Sequence, residues 1–261
     1  MKRISFIAFF SFILLRVVPL SAQESIVKES PVIKGKVLPT KCYTFAASEG
    51  KFKYSIKVDF PVGGNKHLRH NVQEWIQEYF SPLYDGDVSD VRKMILASYE
   101  YEKGESNEDI PCEFSFTFTK ECENDRYVTY SFFVDEYGGG AHNISYKHGA
   151  TFRVTDGRRF GWDMFANKNR VRNIVKEGVK RQYFNVTTDA ELWKIVDVFQ
   201  EAGNNRYLPL PETEPWITEK GVLFYYQSYE IAAYAYGAPY CVVPFEQLQE
   251  YMTPAACRLI E

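Results

Sequence analysis

The glycine-rich run from Tyr137 to Asn143 holds the residues of this chain whose types and spacing best suit chemistry. Three consecutive glycines separate an alternating segment, Tyr127 to Val134, from His142. Because glycine reaches positive φ and admits close backbone approach, the triple predicts a defined loop at a strand end. Imidazole is the usual side chain for acid–base work near neutral pH. His142 and Asn143 therefore indicate an acid–base pair or a ligand contact; a histidine that only caps the strand end is the structural alternative.

A second candidate is Glu230, which lies between Tyr229 and Ile231. A carboxylate in apolar surroundings needs a partner or acquires a raised pKa, and such carboxylates are frequent at functional sites. A purely structural role, joining two parts of the fold, stays open beside the functional one. If the two segments form one site, the side chains of His142 and Glu230 should lie near each other.

The predicted ligand-binding set comes from these two segments, and no member is predicted to be catalytic. Its residues are Tyr137, Gly139, Gly140, His142, Asn143, Tyr229, Glu230 and Tyr234. The chain also contains 20 Phe, 19 Tyr and 4 Trp. This abundance favours either a strand-rich core or an aromatic surface for sugars or a protein partner, and the sequence leaves both open.

Metal and cofactor chemistry finds little support in the sequence. His67 and His70 are three residues apart near a helix start, but no third ligand accompanies them, so a solvated helix face is predicted. No CxxC pair or Cys/His spacing typical of a metal site occurs. The fingerprints of P-loops, nucleophile elbows, zincins and dinucleotide-binding folds are also missing from the sequence. We therefore predict neither a metal nor a cofactor.

The N-terminal residues are typical of a secretory signal peptide. Lys2 and Arg3 precede an apolar stretch from Ile4 to Leu15, and the small residues around Ala22 suit cleavage. Arg16 interrupts the apolar stretch, so no stable membrane span is expected after cleavage. The predicted location is the periplasm or the cell exterior.

The charge of the chain bears on its partners. Removal of the three basic residues of the signal peptide takes the formal net charge from −3 to −6. A mildly acidic protein gives no electrostatic argument for nucleic-acid binding, whereas it would tolerate a basic protein partner. Ordinary surface charge explains the same value.

The five cysteines, an odd number, leave at least one thiol unpaired or bonded to another chain. Cys112 and Cys122 are near in sequence, but the residues between them alternate like one strand. Ten extended residues span roughly 33 Å, whereas a disulfide needs Cα atoms within about 7 Å. That bond is therefore excluded if the strand forms, and the pairing of the others stays open.

The order of the predicted elements indicates an α+β fold, with antiparallel sheets and packed helices in two intimately associated halves. Strands are predicted over 51–60, 113–120, 126–135, 144–154, 222–227 and 240–243, and helices over 66–80, 88–102 and 169–182. A capping box at Thr188 and Glu191 begins another helix, and Pro244 begins a closing one. The predicted segments are a signal peptide (1–23), a polar lead-in (24–50), an N-terminal half (51–150) and a C-terminal half (151–261).

Three stretches together resemble one family: residues 127–143 with the Gly-Gly-Ala-His element, residues 151–165, and residues 216–248 with Tyr229-Glu230-Ile231 and Val243-Pro244-Phe245. The chain resembles the extracytoplasmic domain pair of RsiV-type anti-sigma factors and the non-catalytic portion of PdaC-type peptidoglycan deacetylases. The resemblance runs from about Lys51 to Met252. It implies an α+β fold and, in the RsiV branch, a receptor that binds lysozyme. No sigma-binding segment or deacetylase domain is recognised, so only the binding module is expected here.

The leading hypothesis is an exported cell-envelope binding module, with a basic protein such as lysozyme or a peptidoglycan fragment as ligand. One alternative is a cell-envelope hydrolase that uses His142 and Glu230. The other is a structural component of an envelope complex, linked to a partner through the unpaired cysteine.

Overall fold

A seven-stranded sheet forms the larger part of this computed structural model, which describes residues 27–80, 84–107, 109–197, 200–202 and 205–261. Its strands are β1 (Lys28–Lys34), β2 (Thr40–Glu49), β3 (Phe52–Pro61), β4 (Cys112–Glu123), β5 (Tyr127–Tyr137), β6 (Ile144–Arg153) and β7 (Arg159–Phe160). They lie side by side in chain order. All neighbours are antiparallel except β3 and β4. Parallel neighbours need a long crossover, and here two helices supply it.

The crossover helices, α1 (Lys66–Phe80) and α2 (Val91–Glu105), pack on one face of this sheet. Strand β3 turns every second side chain, from Phe52 to Phe60, toward them. Helix α1 packs against them with four side chains that are buried at helical spacing: Leu68, Val72, Trp75 and Ile76. The predicted helix over 66–80 is confirmed, and α2 begins three residues later than predicted because Asp90 caps it, accepting from the Lys93 amide at 3.1 Å.

The remainder of the chain builds a smaller unit around its own cluster of buried apolar residues. Its three-stranded sheet contains β10 (Trp216–Thr218), β11 (Gly221–Tyr225) and β12 (Tyr240–Val243), and a two-stranded ribbon contains β8 (Gln200–Ala202) and β9 (Asn205–Tyr207). The helices are α3 (Arg172–Gln182), α4 (Asp189–Ile195), α5 (Phe245–Leu248) and α6 (Pro254–Ile260). The capping box predicted at Thr188 and Glu191 is confirmed at the start of α4.

The two parts meet where β10 crosses the ends of β5 and β6 on the face opposite α1 and α2. The Ile217 amide donates to Thr151 Oγ1 at 2.8 Å, and Thr151 bonds Thr129 at 3.1 Å. Gly149 lies under Trp216, so close that a Cβ there would come 2.2 Å from the indole. Absence of a side chain at residue 149 is what lets the two parts approach.

The predicted α+β class is confirmed, with three local corrections. The segment 24–50, expected to be a polar lead-in, contributes β1 and β2 to the large sheet. Its signal was weak because β1 is an edge strand whose side chains are mostly exposed. Residues 205–207, for which no element was predicted, form the short strand β9.

The third correction concerns the closing helix, which is broken in two. Pro244 is the N-cap of α5, which ends after four residues, and α6 begins at Pro254. A proline excludes the preceding residue from the α region, so Thr253 is extended and caps α6 instead.

The signal peptide and the boundaries between the predicted segments are not tested by the structure. The signal peptide (1–23) lies outside the described residues, and the boundaries at 50 and 150 stay predictions.

All five cysteines are free thiols, and Cys112 and Cys122 lie at opposite ends of β4, as the extended strand requires. None of the described helices combines the length and apolar character needed to cross a membrane.

Candidate functional site

The predicted glycine-rich loop connects β5 to β6 and is held by Asp135. This carboxylate accepts from the Asn143 side-chain amide at 2.8 Å and from Ser145 Oγ at 2.5 Å. Gly139 has φ +81, and a Cβ there would also come 2.1 Å from Ile110. Residue 139 therefore needs glycine for both its conformation and its contact. Gly140 and Gly138 face open space, so they show no such requirement.

His142 projects from this loop into a cluster of tyrosines. Its Nδ1 lies 2.9 Å from the Asn143 carbonyl oxygen, which can only accept, so Nδ1 carries the proton. In the neutral ring Nε2 is then the acceptor, and the Tyr229 hydroxyl donates to it at 2.9 Å. The imidazole stacks on the ring of Tyr234, with centroids 3.7 Å apart and planes 14° from parallel. The Tyr234 hydroxyl in turn donates to the Asn143 carbonyl at 3.0 Å.

Tyr229 adopts φ +68, which is unusual for a residue with a side chain. Its side chain is 57% exposed although both His142 and Tyr234 contact it. A left-handed non-glycine residue is strained, and such strain is concentrated at functional sites. The turn that holds it is closed by Glu230, whose amide donates to the Gln227 carbonyl at 3.1 Å.

Glu230 organises this turn rather than assisting His142. Its two carboxylate oxygens accept from the backbone amides of Gln227 at 2.7 Å and of Glu212 at 2.8 Å. Burial raises the pKa of Glu230, although these two N–H donors act in the opposite direction. His142 bonds Tyr229 and Asn143 instead, so the two residues predicted to share a site bond to different partners. The structural interpretation of Glu230 fits this geometry.

Further tyrosines of the smaller unit contact one another through hydrogen bonds and ring contacts. Tyr183 donates to the Tyr236 carbonyl at 2.7 Å, and its ring contacts Tyr240 at 5.6 Å. Tyr240 stacks in turn on Tyr225 at 6.4 Å. Tyr236 and Tyr240 are each 45% exposed. We call the whole set the tyrosine-rich surface: His142, Tyr183, Tyr225, Tyr229, Tyr234, Tyr236 and Tyr240.

The structure thus unites four of the eight predicted residues, His142, Asn143, Tyr229 and Tyr234, directly. Tyr137 ends β5, where it pairs with Glu113 of β4. Tyr183 was missed by the sequence analysis, since it ends α3, far along the chain from the glycine-rich loop. No local signal marks it.

A cavity of about 470 Å³ lies where the two parts of the fold meet. We call it the junction cavity. It is lined by Trp75, Tyr79, His148, Gly149, Ala150, Arg159, Phe160, Gly161, Asp163, Glu212, Thr213, Glu214 and Gln227. The sequence analysis did not predict it. The available signal was the run Pro211-Glu212-Thr213-Glu214-Pro215, because two prolines stiffen a short acidic loop.

Gln227 ties the acidic loop of this cavity to β6. Its side-chain amide donates to the Lys147 carbonyl and to Thr213 Oγ1, both at 2.7 Å, and accepts from the Lys147 amide at 3.1 Å. The side chain therefore pairs with Lys147 as a neighbouring strand would. In this way one residue connects the large sheet, the cavity and the turn that carries Tyr229.

Across the described residues, no group of three or more His, Cys, Asp or Glu side chains is arranged to hold a metal ion. Of the two histidines considered as ligands, His70 lies 3.2 Å from Glu74 on the exposed face of α1. This pairing agrees with the predicted solvated helix face.

Comparison with known proteins shows what the chain is similar to. Residues 163–246 match the family model described as "Protein of unknown function (DUF3298)". A crystal structure of a DUF3298 family member from Bacteroides fragilis superposes with a TM-score of 0.60 at 17% identity, covering 89% of this chain and 96% of that one. A DUF3298 family protein from Pseudomonas aeruginosa gives a TM-score of 0.60 at 16% identity, covering 85% and 97%. No curated protein matches the chain. The chain therefore shares the fold of these two DUF3298 family structures, and its residues 163–246 are similar to the DUF3298 family model.

Proposed function

We propose that this chain is an exported, non-catalytic binding module of the cell envelope, and that the tyrosine-rich surface is where it binds. One observation carries the proposal: Tyr229 is 57% exposed and has a strained backbone, yet His142 and Tyr234 hold its side chain in place. An aromatic side chain kept rigid in solvent contributes little to folding. It is, however, ready to contact a ligand without losing much conformational entropy.

The composition of the surface supports binding in the same way. Tyrosine is enriched among the residues that dominate protein interfaces, because its ring supplies apolar area and its hydroxyl supplies a hydrogen bond. Tyr229, Tyr236 and Tyr240 each expose more than two fifths of their area. All three belong to the stretch 229–240, where Tyr229 contacts Tyr234 at 5.4 Å and Tyr234 shares a short 3₁₀ turn with Tyr236.

A basic protein such as lysozyme is the proposed partner. The expected charge after loss of the signal peptide is −6, which favours association with a cation. The resemblance to RsiV-type receptors points to the same ligand. Stacked aromatic rings also suit sugars, so a peptidoglycan fragment is the alternative ligand of the same surface.

The hydrolase alternative gains no support from the geometry of His142 and Glu230. Both carboxylate oxygens of Glu230 are occupied by backbone amides, and both nitrogens of His142 have partners. A hydrolytic pair would need to face one bond of a substrate from hydrogen-bonding distance. Binding is therefore favoured over hydrolysis.

The alternative of a cysteine-linked envelope component applies to few thiols. Cys112 and Cys241 are buried, whereas Cys42, Cys122 and Cys257 are partly accessible. Burial raises the pKa of Cys122 to about 11, which disfavours its reactive thiolate. Non-reducing electrophoresis of the exported protein checks this alternative, since a linked partner should disappear with reductant.

The binding proposal is tested by calorimetric titration of the protein with lysozyme and, separately, with purified muropeptides. We expect lysozyme to bind and the Tyr229→Ala variant to bind at least about tenfold more weakly, as for an interface hot spot. Tyr101→Ala is the matched control, because Tyr101 is an exposed tyrosine (41%) on α2. Equal loss in both variants would contradict the assignment of the surface. Binding of neither ligand by the unaltered protein would overturn the proposal.

Thermal unfolding gives a second readout of the same question. A ligand present at 100 times its dissociation constant should stabilise the folded state by about 2.7 kcal/mol. Cell fractionation tests the proposed location, with the mature protein expected outside the cytoplasm and shortened by about 23 residues.

A further inference from the structure

We propose that the junction cavity is a second binding site, and that it takes an organic cation: an ammonium or guanidinium group on a short apolar stem. This inference goes beyond the tyrosine-rich surface and does not rest on the function proposed for it. The volume of about 470 Å³ lies within the range of small-molecule sites, which is about 300–1,000 Å³.

The floor of the cavity is aromatic. Trp75 and Phe160 are buried, and Tyr79 packs edge-on to Trp75 with centroids 5.3 Å apart. His148 stacks on Tyr79 at 5.0 Å, and burial lowers its pKa, so the imidazole stays neutral near pH 7. Ring faces attract cations, and an aromatic floor without a fixed charge accepts the apolar stem as well.

The rim of the cavity is acidic, and its carboxylates are not all neutralised. Glu212 is exposed, and its carboxylate has no hydrogen-bond donor among the described residues. Glu214 accepts from the Trp162 amide with one oxygen only, which leaves the other available. Both carboxylates belong to the Pro211–Pro215 loop.

The nearby arginines do not cancel these two charges. Arg159 pairs with Glu78 at 2.7 Å, and Arg158 pairs with Asp163 at 2.7 Å. The carboxylates of Glu212 and Glu214 therefore remain as net negative charge facing the cavity. Arg158 and Arg153 already lie over the ring of Phe160, 4.7 and 5.6 Å from its centroid, so this ring is not the one that a ligand cation would contact.

The acidic loop is fixed in position before any ligand arrives. The Glu212 amide donates to Glu230 at 2.8 Å, and Thr213 is buried and bonded to Gln227 at 2.7 Å. Prolines at both ends restrict the backbone further. A loop backbone held in this way keeps both carboxylates at the rim of the cavity, so a cation that binds there has to order only their side chains.

Cation recognition at the junction cavity is tested with butylguanidinium chloride and with butylurea, its neutral counterpart of similar shape. Calorimetric or NMR titration of the unaltered protein should show one site for butylguanidinium at millimolar or lower concentration. Butylurea should bind at least about tenfold more weakly, a difference of about 1.4 kcal/mol. Binding should also weaken as salt is added.

Variants locate the site. Glu212→Gln should weaken butylguanidinium binding at least about threefold, and Glu212→Gln with Glu214→Gln at least about tenfold, as expected for the removal of one and two charges. Glu219→Gln is the control with the same charge change, because Glu219 is exposed in the turn between β10 and β11. Since Glu214 bonds Trp162, the single Glu212 variant keeps the test valid if the double variant folds poorly. Equal binding of butylurea, an undiminished affinity of Glu212→Gln, or no binding of butylguanidinium would each overturn the proposal.

Discussion

The aromatic residues of this protein occupy two regions that use similar ring contacts for different ends. Under α1, Phe118 and Phe132 stack with centroids 4.6 Å apart, and Trp75 packs edge-on to Phe118 at 6.3 Å. In the tyrosine-rich surface, His142 and Tyr234 stack at 3.7 Å. Phe118 is wholly buried, whereas Tyr229 is 57% exposed beside that second stack. The ring-centroid distances in the two regions are comparable, but the exposure of the rings to water differs.

This difference shows why contact geometry alone does not reveal what an aromatic residue contributes. Burial of ring area stabilises folding by roughly 25 cal/mol per Å², so the first region holds the fold together. In the second region most of that area stays in water and can be buried by a ligand instead. The hydroxyl groups also differ: that of Tyr130 is buried with no hydrogen-bond partner among the described residues, whereas that of Tyr229 bonds His142.

The sharpest test of this comparison is Phe118→Ala in the buried region. Removing a fully buried ring between Trp75 and Phe132 should destabilise the protein by about 3–5 kcal/mol, because apolar contacts are lost and a cavity remains. Urea denaturation measures the free energy of unfolding. A cost below about 1 kcal/mol would mean that the neighbouring rings collapse into the gap and that this core is loosely packed.

The junction between the two parts of the fold, where Gly149 lies under Trp216, is tested by Gly149→Ala. The added Cβ would come 2.2 Å from the Trp216 indole, so the variant should lose about 1–3 kcal/mol of stability. Gly104→Ala is the control, since Gly104 lies in α2 with no heavy atom within 4 Å of the added Cβ. It should be neutral or slightly more stable. Equal effects in denaturation experiments would argue against close packing at the junction.

A smaller effect on stability is expected from a change at Glu102, at the rim of the buried region. Burial, and then the charges of Glu136 and Glu105, raise the pKa of Glu102 to about 7. The folded state therefore holds a proton that the unfolded state releases near pH 4.5, and stability falls as the pH rises from about 4.5 to 7. Glu102→Gln should be more stable than the unaltered protein by about 1 kcal/mol above pH 7, after allowance for solvent screening. Below pH 4 the difference should vanish, and a difference independent of pH would contradict this account.

The smallest effect on stability is expected at Tyr229. Tyr229→Ala should change the free energy of unfolding by less than about 0.5 kcal/mol, because most of the side chain is already in water. The same denaturation measurement used for Phe118→Ala provides the comparison. A loss approaching that of Phe118→Ala would mean that the tyrosine-rich surface is structural, and the proposed binding role would lose its basis.

Elements with strong periodicity were predictable from the sequence. The helix over 66–80 was placed correctly, and the strands β4 and β5 and the capping box of α4 were predicted. Strand β1 was missed because an exposed edge strand lacks an apolar pattern, and α6 was missed because Pro254 begins a helix that looked like the continuation of α5. In each case the missing information was a contact or a break that periodicity does not encode.

The candidate site was only half predictable for a similar reason. His142, Asn143, Tyr229 and Tyr234 were singled out as residues of two segments, and they do meet. Glu230 was expected beside His142 but bonds Gln227 and Glu212, because its neighbour Tyr229 turns outward at φ +68. Tyr183, at the end of α3, also belongs to the surface. No sequence pattern near the glycine-rich loop predicts its position there.

By itself, the sequence determined the local elements and the α+β class, since both follow from side-chain periodicity and from turn and cap residues within a few positions of one another. Only the tertiary structure decided which aromatic residues are buried and which are displayed, and where Glu212, Glu214 and Trp75 form a cavity. Those outcomes depend on how β10 packs across β5 and β6, a contact between residues more than 60 positions apart. Such contacts are set by the fit of whole surfaces, which no short stretch of sequence contains.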